Sequence, residues 1–309
     1  MGRLPNQSRE DLLDPRGVVG LHEPMSESVS RRVSRRSVVV TGGASGIGRA
    51  IAERQLVAGD AVVVIDNDAD ALESFGREAN RGDSLGLVLG DVSVTADLER
   101  AADVAQALAP LLGWVNNAAI NSKAALHEID HDSYRRIMST TLDGVFWGSA
   151  TAVKRMLAAG QGGSIVSVSS IHASRGFPGL PVYAAAKGAS EALTRQVATE
   201  YAHADIRCNA VAPGVIVTPR IDARINASSD PAANRAAIAG RSPIGRVGRP
   251  DDVAAAAHFL LSAEAGFVTG HVMVVDGGAM SAMPPVDLAT GATSGFRLRT
   301  RLARIRQGN

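Results

Sequence analysis

The chain has 309 residues, 45% hydrophobic and 20% charged, enough apolar material for one large core and without the composition of collagen, a disordered chain or a disulfide scaffold. Its 32 basic and 31 acidic residues leave a formal charge of +1, so no global field draws it onto nucleic acid or an acidic membrane, and small-molecule chemistry is favoured. Cys208 is the single cysteine, which excludes an internal disulfide and a cysteine-rich metal site and suits a reducing cytosol.

Residues 1–34 mix Pro, Ser, Gly and charge without a period and run into Arg35 and Arg36, the pattern of a flexible N-terminal tail. Met25 is an alternative start. The tail has no apolar signal stretch, and Glu10, Asp11, Asp14, Glu23 and Glu27 argue against a transit peptide, so a cytoplasmic location is expected. Apolar runs such as 61–65 fall far short of the roughly 18 residues that cross a bilayer, and no membrane association is expected.

From 35 to 282 short β-branched runs alternate with Ala-rich segments of helical spacing, the signature of repeated βα units. The spacing predicts strands at 37–41, 61–66, 85–89, 111–115, 164–169, 205–211 and 271–275, and helices at 48–58, 97–107, 133–159, 182–201 and 251–261. This is an α/β chain with a single Rossmann-type doubly wound domain, a seven-stranded parallel sheet flanked by helices, and ligand sites belong at the carboxyl ends of its strands. Cys208 lies in the apolar run 206–211 and reads as a buried thiol rather than a nucleophile. Residues 283–309 form a basic C-terminal tail in which Leu298, Leu302 and Ile305 are interleaved with arginines; a solvated tail is favoured over an amphipathic helix.

The first strand runs into Thr41-Gly42-Gly43-Ala44-Ser45-Gly46-Ile47-Gly48, after which a helix begins. Glycines let the backbone turn tightly and approach a pyrophosphate, whose charge meets free N–H groups and the positive end of the helix. The second strand ends in Asp66, placed to bond an adenosine ribose and to repel a 2'-phosphate, and Asn67 and Asp68 follow rather than a basic residue. NAD is therefore the expected cofactor. Further along, Ser170 follows the strand at 164–169, and Tyr183 and Lys187 stand four apart on a predicted helix, hence on one face. A phenol with its usual pKa of about 10 is a poor base at neutral pH, and a neighbouring ammonium makes it a usable one.

Taken together these motifs resemble the short-chain dehydrogenase/reductase (SDR) family over about 37–280. Further matches are the Asp91-Val92 pair, Asn116-Asn117-Ala118-Ala119, Pro213-Gly214 with Val215 and Thr218, Gly248-Arg249-Pro250-Asp251-Asp252-Val253, and Asp276-Gly277-Gly278. The resemblance implies a cofactor site made by Gly42, Ser45, Gly46, Ile47, Gly48, Asp66, Asn67, Asp91, Val92, Asn117, Ala118, Ala119, Tyr183, Lys187, Pro213, Gly214, Val215 and Thr218. It implies catalysis by Ser170, Tyr183 and Lys187; no His, Asp and Glu cluster stands at ligand spacing, so no metal is expected.

Two departures stand out. Ala119 replaces the family's usual glycine, and Thr141 stands where the family has its fourth catalytic residue, an asparagine that holds a water near the lysine.

The activity implied is hydride transfer between NAD and a secondary alcohol or ketone, with Tyr183 as general acid/base, tilted toward alcohol oxidation because cellular NAD pools are mostly oxidised. The resemblance also implies a homotetramer or homodimer. A dinucleotide sensor that has lost turnover is the alternative, and Thr141 is its supporting feature. A nucleic-acid contact through the basic tails ranks lowest. Residues 219–246 correspond to the family's variable lid; Arg220, Arg224, Arg235 and Arg241 within it read mostly as solvated charges, with an anionic substrate as the alternative. His172 is a pocket-wall residue or a loop-packing one.

Overall fold

The run Ser-Val-Val-Val-Thr forms β1 (Ser37–Thr41), and strand alternation sends Val38 and Val40 to one face and Val39 to the other, all fully buried. A strand apolar on both faces requires helices on both sides of its sheet. The structure is a computed structural model that describes residues 35–282. β2 (Ala61–Asp66), β3 (Leu85–Leu89), β4 (Leu111–Asn116), β5 (Gly163–Val168), β6 (Ile206–Pro213) and β7 (Val272–Val275) complete a seven-stranded sheet in the order β3-β2-β1-β4-β5-β6-β7. Each neighbouring pair is parallel. The strand order reverses between β1 and β4, and the crevice beyond their carboxyl ends is where such sheets take a ligand.

Two apolar cores sandwich the sheet. On one face Ile51 and Leu56 of α1 (Gly46–Val57) meet Leu260 and Leu261 of α9 (Pro250–Leu261) above Val38 and Val40. On the other, Leu98 of α3 (Thr95–Leu108) and Met156 of α5 (Gly144–Ala159) pack with Trp114, Ile165 and Cys208. Each fully buried side chain of this size contributes about 1.5–3 kcal/mol.

The first three strands match their predicted bounds, while the strand predicted at 205–211 begins one residue later. Asp205 has φ 57°, a left-handed conformation no strand residue adopts. The single helix predicted at 133–159 is a correction: α4 (His131–Met138) is separated from α5 by a π-helical turn at Ser139–Asp143, in which the Gly144 N–H donates to the Ser139 carbonyl. Such single-turn bulges occur inside otherwise regular helices and carry no residue signature of their own, so the segment reads as one helix in sequence. Helices α2 (Ala69–Ala79), α7 (Pro219–Asn226) and α8 (Pro231–Ala239) were not predicted, although Asp68, Thr218 and Asp230 cap them through side-chain oxygens. Both predicted tails lie outside the described residues, among which no helix is long and apolar enough to cross a membrane.

Cys208 on β6 is 1% exposed, and burial pushes its thiol up to about 12. A disulfide reagent at pH 8 should leave the folded protein unmodified and titrate one thiol per chain in guanidinium. Prompt labelling of the folded chain would contradict the packing of β6.

Candidate active site

The loop from Thr41 to Gly48 leaves β1 and enters α1 across the reversal of strand order. Gly42 has φ +61°, open to glycine at no steric cost, and a Cβ on Gly48 would collide with the Gly42 carbonyl oxygen and the Asn117 amide. Asn117, just past β4, fills that closeness: its Nδ2 donates to the carbonyls of Thr41 at 3.0 Å and Gly42 at 2.8 Å. In return Thr41 Oγ1 accepts from the backbone N–H of Asn117 at 3.0 Å and of Ala118 at 3.1 Å. Ser45 precedes α1 and makes no side-chain cap bond, so the first-turn N–H groups remain available to an anion.

A cavity of about 720 Å³ extends from this loop across the sheet ends. Of the residues predicted for cofactor and catalysis, all but Gly48 and Thr141 line it. Gly48 instead lets the loop and Asn117 approach one another. At the end nearer β2, Asp66 Oδ2 accepts from the Ala44 N–H at 3.1 Å and Oδ1 from the Asp68 N–H at 3.2 Å, which fixes the carboxylate and leaves further lone pairs for hydroxyl donors. Asp91 Oδ1 accepts from both the N–H and the hydroxyl of Ser93 at 2.8 Å, turning the chain so that Asp91 and Val92 face the cavity. These glycines, free N–H groups and a fixed carboxylate fit a nicotinamide dinucleotide.

The other end of the cavity holds Ser170, Tyr183 and Lys187. Ser170 follows β5, is 7% exposed, and its Oγ accepts from the His172 N–H at 3.2 Å. Tyr183 and Lys187 stand one turn apart on α6 (Pro181–Tyr201), whose proline occupies the first turn, where a missing N–H costs nothing. The Lys187 Nζ lies 5.6 Å from the Tyr183 ring centroid and donates to the Val168 carbonyl at 2.6 Å. Burial pushes the Tyr183 phenol above its ordinary value, partly offset by a hydrogen bond with Ser170, and pushes the Lys187 ammonium down to about 8. Both charged forms are thus penalised by the same low-dielectric pocket, and each relieves the other when both are ionised.

The two departures resolve differently. Ala119 is not among the described non-glycine residues with positive φ, so its Cβ meets no backbone strain. Thr141 sits inside the π turn, fully buried, with its hydroxyl donating to the Ile120 carbonyl at 3.0 Å and accepting from the Ile120 N–H at 3.1 Å. The structure therefore turns Thr141 away from the cavity wall and ties the π turn to the segment after β4, while Thr140 lines the cavity. His172 lines it too, its ring 5.2 Å from that of Phe177, and its Nδ1 is buried without a partner among the described residues. Phe177, Leu180, Ile225 and Ile238 supply apolar wall that the sequence reading missed, since an isolated apolar residue in a loop or on a short helix carries no periodic signal.

Replacing Thr141 by Val keeps the shape and leaves the Ile120 N–H and carbonyl unpaired. The variant should unfold in urea with about 1–3 kcal/mol less stability, and Thr141→Ser should retain most of it. Equal stability of the three proteins would rule out this tether.

A family model described as enoyl-(acyl carrier protein) reductase matches residues 42–280. The chain is similar to 2-(S)-hydroxypropyl-CoM dehydrogenase 3 of Xanthobacter autotrophicus, 37% identical over 81% of this chain and 98% of that one. It is also similar to cis-4-hydroxycyclohexanecarboxylate dehydrogenase of Sinomonas cyclohexanicum, 42% identical over 82% of this chain and 98% of the relative. Among solved structures, one provisionally described as a gluconate dehydrogenase from Agrobacterium tumefaciens superposes with a TM-score of 0.74 at 30% identity, covering 80% of this chain and 97% of that one. With the parallel sheet, the glycine loop and the convergence of Ser170, Tyr183 and Lys187, these matches identify the chain as a member of the short-chain dehydrogenase/reductase family.

Proposed function

We propose that residues 35–282 form an NAD-dependent dehydrogenase of secondary alcohols, reversible as a ketoreductase, in which Tyr183 is the general acid/base. The observation that carries this reading is one cavity with the glycine loop and Asp66 at one end and Ser170, Tyr183 and Lys187 at the other. NAD rather than NADP is supported by Asp66, whose carboxylate is held in place by two backbone N–H groups and would face a 2'-phosphate with like charge. Gly42, Ser45, Gly46, Ile47 and Thr218 would surround the pyrophosphate, Asp66, Asn67, Asp91 and Val92 the adenosine, and Asn117, Ala118, Ala119, Pro213, Gly214 and Val215 the nicotinamide side.

Bound NAD would supply the hydride acceptor. Ser170 Oγ donates a hydrogen bond to the substrate oxygen and orients it toward Tyr183. Tyr183 Oη takes the hydroxyl proton as the carbinol C–H bond breaks with its electron pair, leaving a carbonyl; reduction returns the proton from the phenol. Lys187, anchored on the Val168 carbonyl, stabilises the phenolate across the 5.6 Å to its ring. Thr141 acts as a positioning residue through Ile120. A cytoplasmic homotetramer or homodimer fits this reading, the latter features supported by Phe146 and Trp147, which stand about half exposed on α5 with their rings edge to face at 5.0 Å.

NADH appearance at 340 nm, followed with NAD and with NADP over a panel of secondary alcohols that includes cis-4-hydroxycyclohexanecarboxylate, tests the assignment. Turnover should require NAD, and Tyr183→Phe should lower kcat by about 10²–10⁴ while leaving NADH binding within a few-fold. Oxidation needs the phenol deprotonated, so kcat should rise with pH, and Lys187→Met should move the rising limb to higher pH. Dinucleotide binding with no turnover in either direction across the panel would replace the dehydrogenase by the sensor.

A further inference from the structure

The charged groups that line the 720 Å³ cavity are divided by sign. Its carboxylates among the described residues are Asp66 and Asp91, both on the side of β2 and β3, whereas Lys123 lies over Phe177, Arg220 reaches Asn121, Arg241 shares a second cavity wall with His172 and Phe177, and Arg224 lines the cavity one turn from Arg220.

Some helix arginines of the described chain pair with acids, Arg49 with Glu53 and Glu78, Arg77 with Glu73, Arg100 with Asp97 and Arg155 with Glu99, whereas Arg54, Arg136 and Arg195 stand exposed without one. In the lid itself Arg235, which does not line the cavity, is neutralised by Asp222 at 2.7 Å. Arg220 and Arg224 instead stand four apart on α7, on one helical face, where like charges repel. Among the described residues Arg224 and Arg241 have no acidic partner, and Arg220 reaches only Asn121, at 3.4 Å from its carbonyl and side-chain oxygens. The Lys123 ammonium lies 5.7 Å over the Phe177 ring, beside the apolar wall. The same cavity has apolar wall at Phe177, Leu180, Ile225 and Ile238, and the unpartnered Nδ1 of His172 also lies on it.

We propose that the substrate is a secondary alcohol with an apolar body and a carboxylate at the end remote from the hydroxyl, bound by the guanidinium groups of Arg224 and Arg241. This rests on the dehydrogenase reading above. A guanidinium fork matches a carboxylate in geometry and charge. The apolar wall takes the body, and Ser170 and Tyr183 take the hydroxyl. The repulsion between Arg220 and Arg224 would be relieved when the anion binds, so that the lid closes more readily over a charged substrate than over a neutral one.

The test pairs 4-hydroxycyclohexanecarboxylate with its neutral amide, 4-hydroxycyclohexanecarboxamide, in steady-state oxidation and in calorimetric binding to the full-length enzyme with NADH. The acid should show kcat/KM at least tenfold above the amide. Arg224→Gln and Arg241→Gln should each raise KM for the acid several-fold, leave the amide unchanged, and leave KM for NAD unchanged. An amide used as well as the acid, or arginine variants that weaken NAD and both alcohols alike, would overturn the proposal while leaving the dehydrogenase intact. Failure of both compounds to turn over while the acid still binds the NADH complex more tightly than the amide would support anion recognition and leave the dehydrogenase reading to the wider panel of secondary alcohols. Neither compound binding, or both binding equally, overturns it.

Discussion

The amide of Asn117 holds the two central strands together where they part. β1 and β4 are hydrogen-bonded neighbours, yet beyond Thr41 and Asn116 the chain turns in opposite directions, and a crevice opens between the two exits. The Asn117 side chain closes that gap by donating to two successive carbonyls of the glycine loop, and Thr41 answers with its hydroxyl. Neither carbonyl has a sheet partner at that point, so without the amide the loop would have to satisfy them in solvent or in another shape. The position of the α1 N-terminus, and with it of the anion site, depends on this tether.

A second constraint works through Thr141. The π turn at Ser139–Asp143 inserts one residue's worth of chain between α4 and α5, and the Thr141 hydroxyl binds it to both polar groups of Ile120. Asn117 and Thr141 thus hold the segment after β4 from two sides, and residues from Asn117 through Asn121 line the cavity between those fixed points. Helices α7 and α8, which line the cavity with Arg220, Arg224 and Ile238, are short and capped by Thr218 and Asp230.

The chemistry at the other end depends on burial acting against charge. Lys187 is 1% exposed, with its ammonium on the Val168 carbonyl, and Tyr183 is close enough for each ionised group to favour the other. Burial alone disfavours both, which is why the phenol is pushed up and the ammonium down to about 8. Arg220, Arg224 and Arg241 differ: they are exposed and have no acidic partner among the described residues.

What the sequence determined by itself was whatever is local or periodic. Alternating β-branched runs specify strands buried on both faces, so the parallel sheet was legible, as was the glycine loop between a strand and a helix. The spacing of Tyr183 and Lys187 placed them on one helical face before any coordinates. Three-dimensional packing decided the rest. That Thr141 bonds Ile120, 21 positions away, follows from how two segments meet and leaves no trace in either. The π turn went unseen because a single five-residue turn carries no residue signature of its own within a long apolar helical run. Among the arginines of 219–241, only the fold separates Arg235, neutralised by Asp222, from Arg220, Arg224 and Arg241, which line the cavity, because a charge's role is set by its neighbours in space.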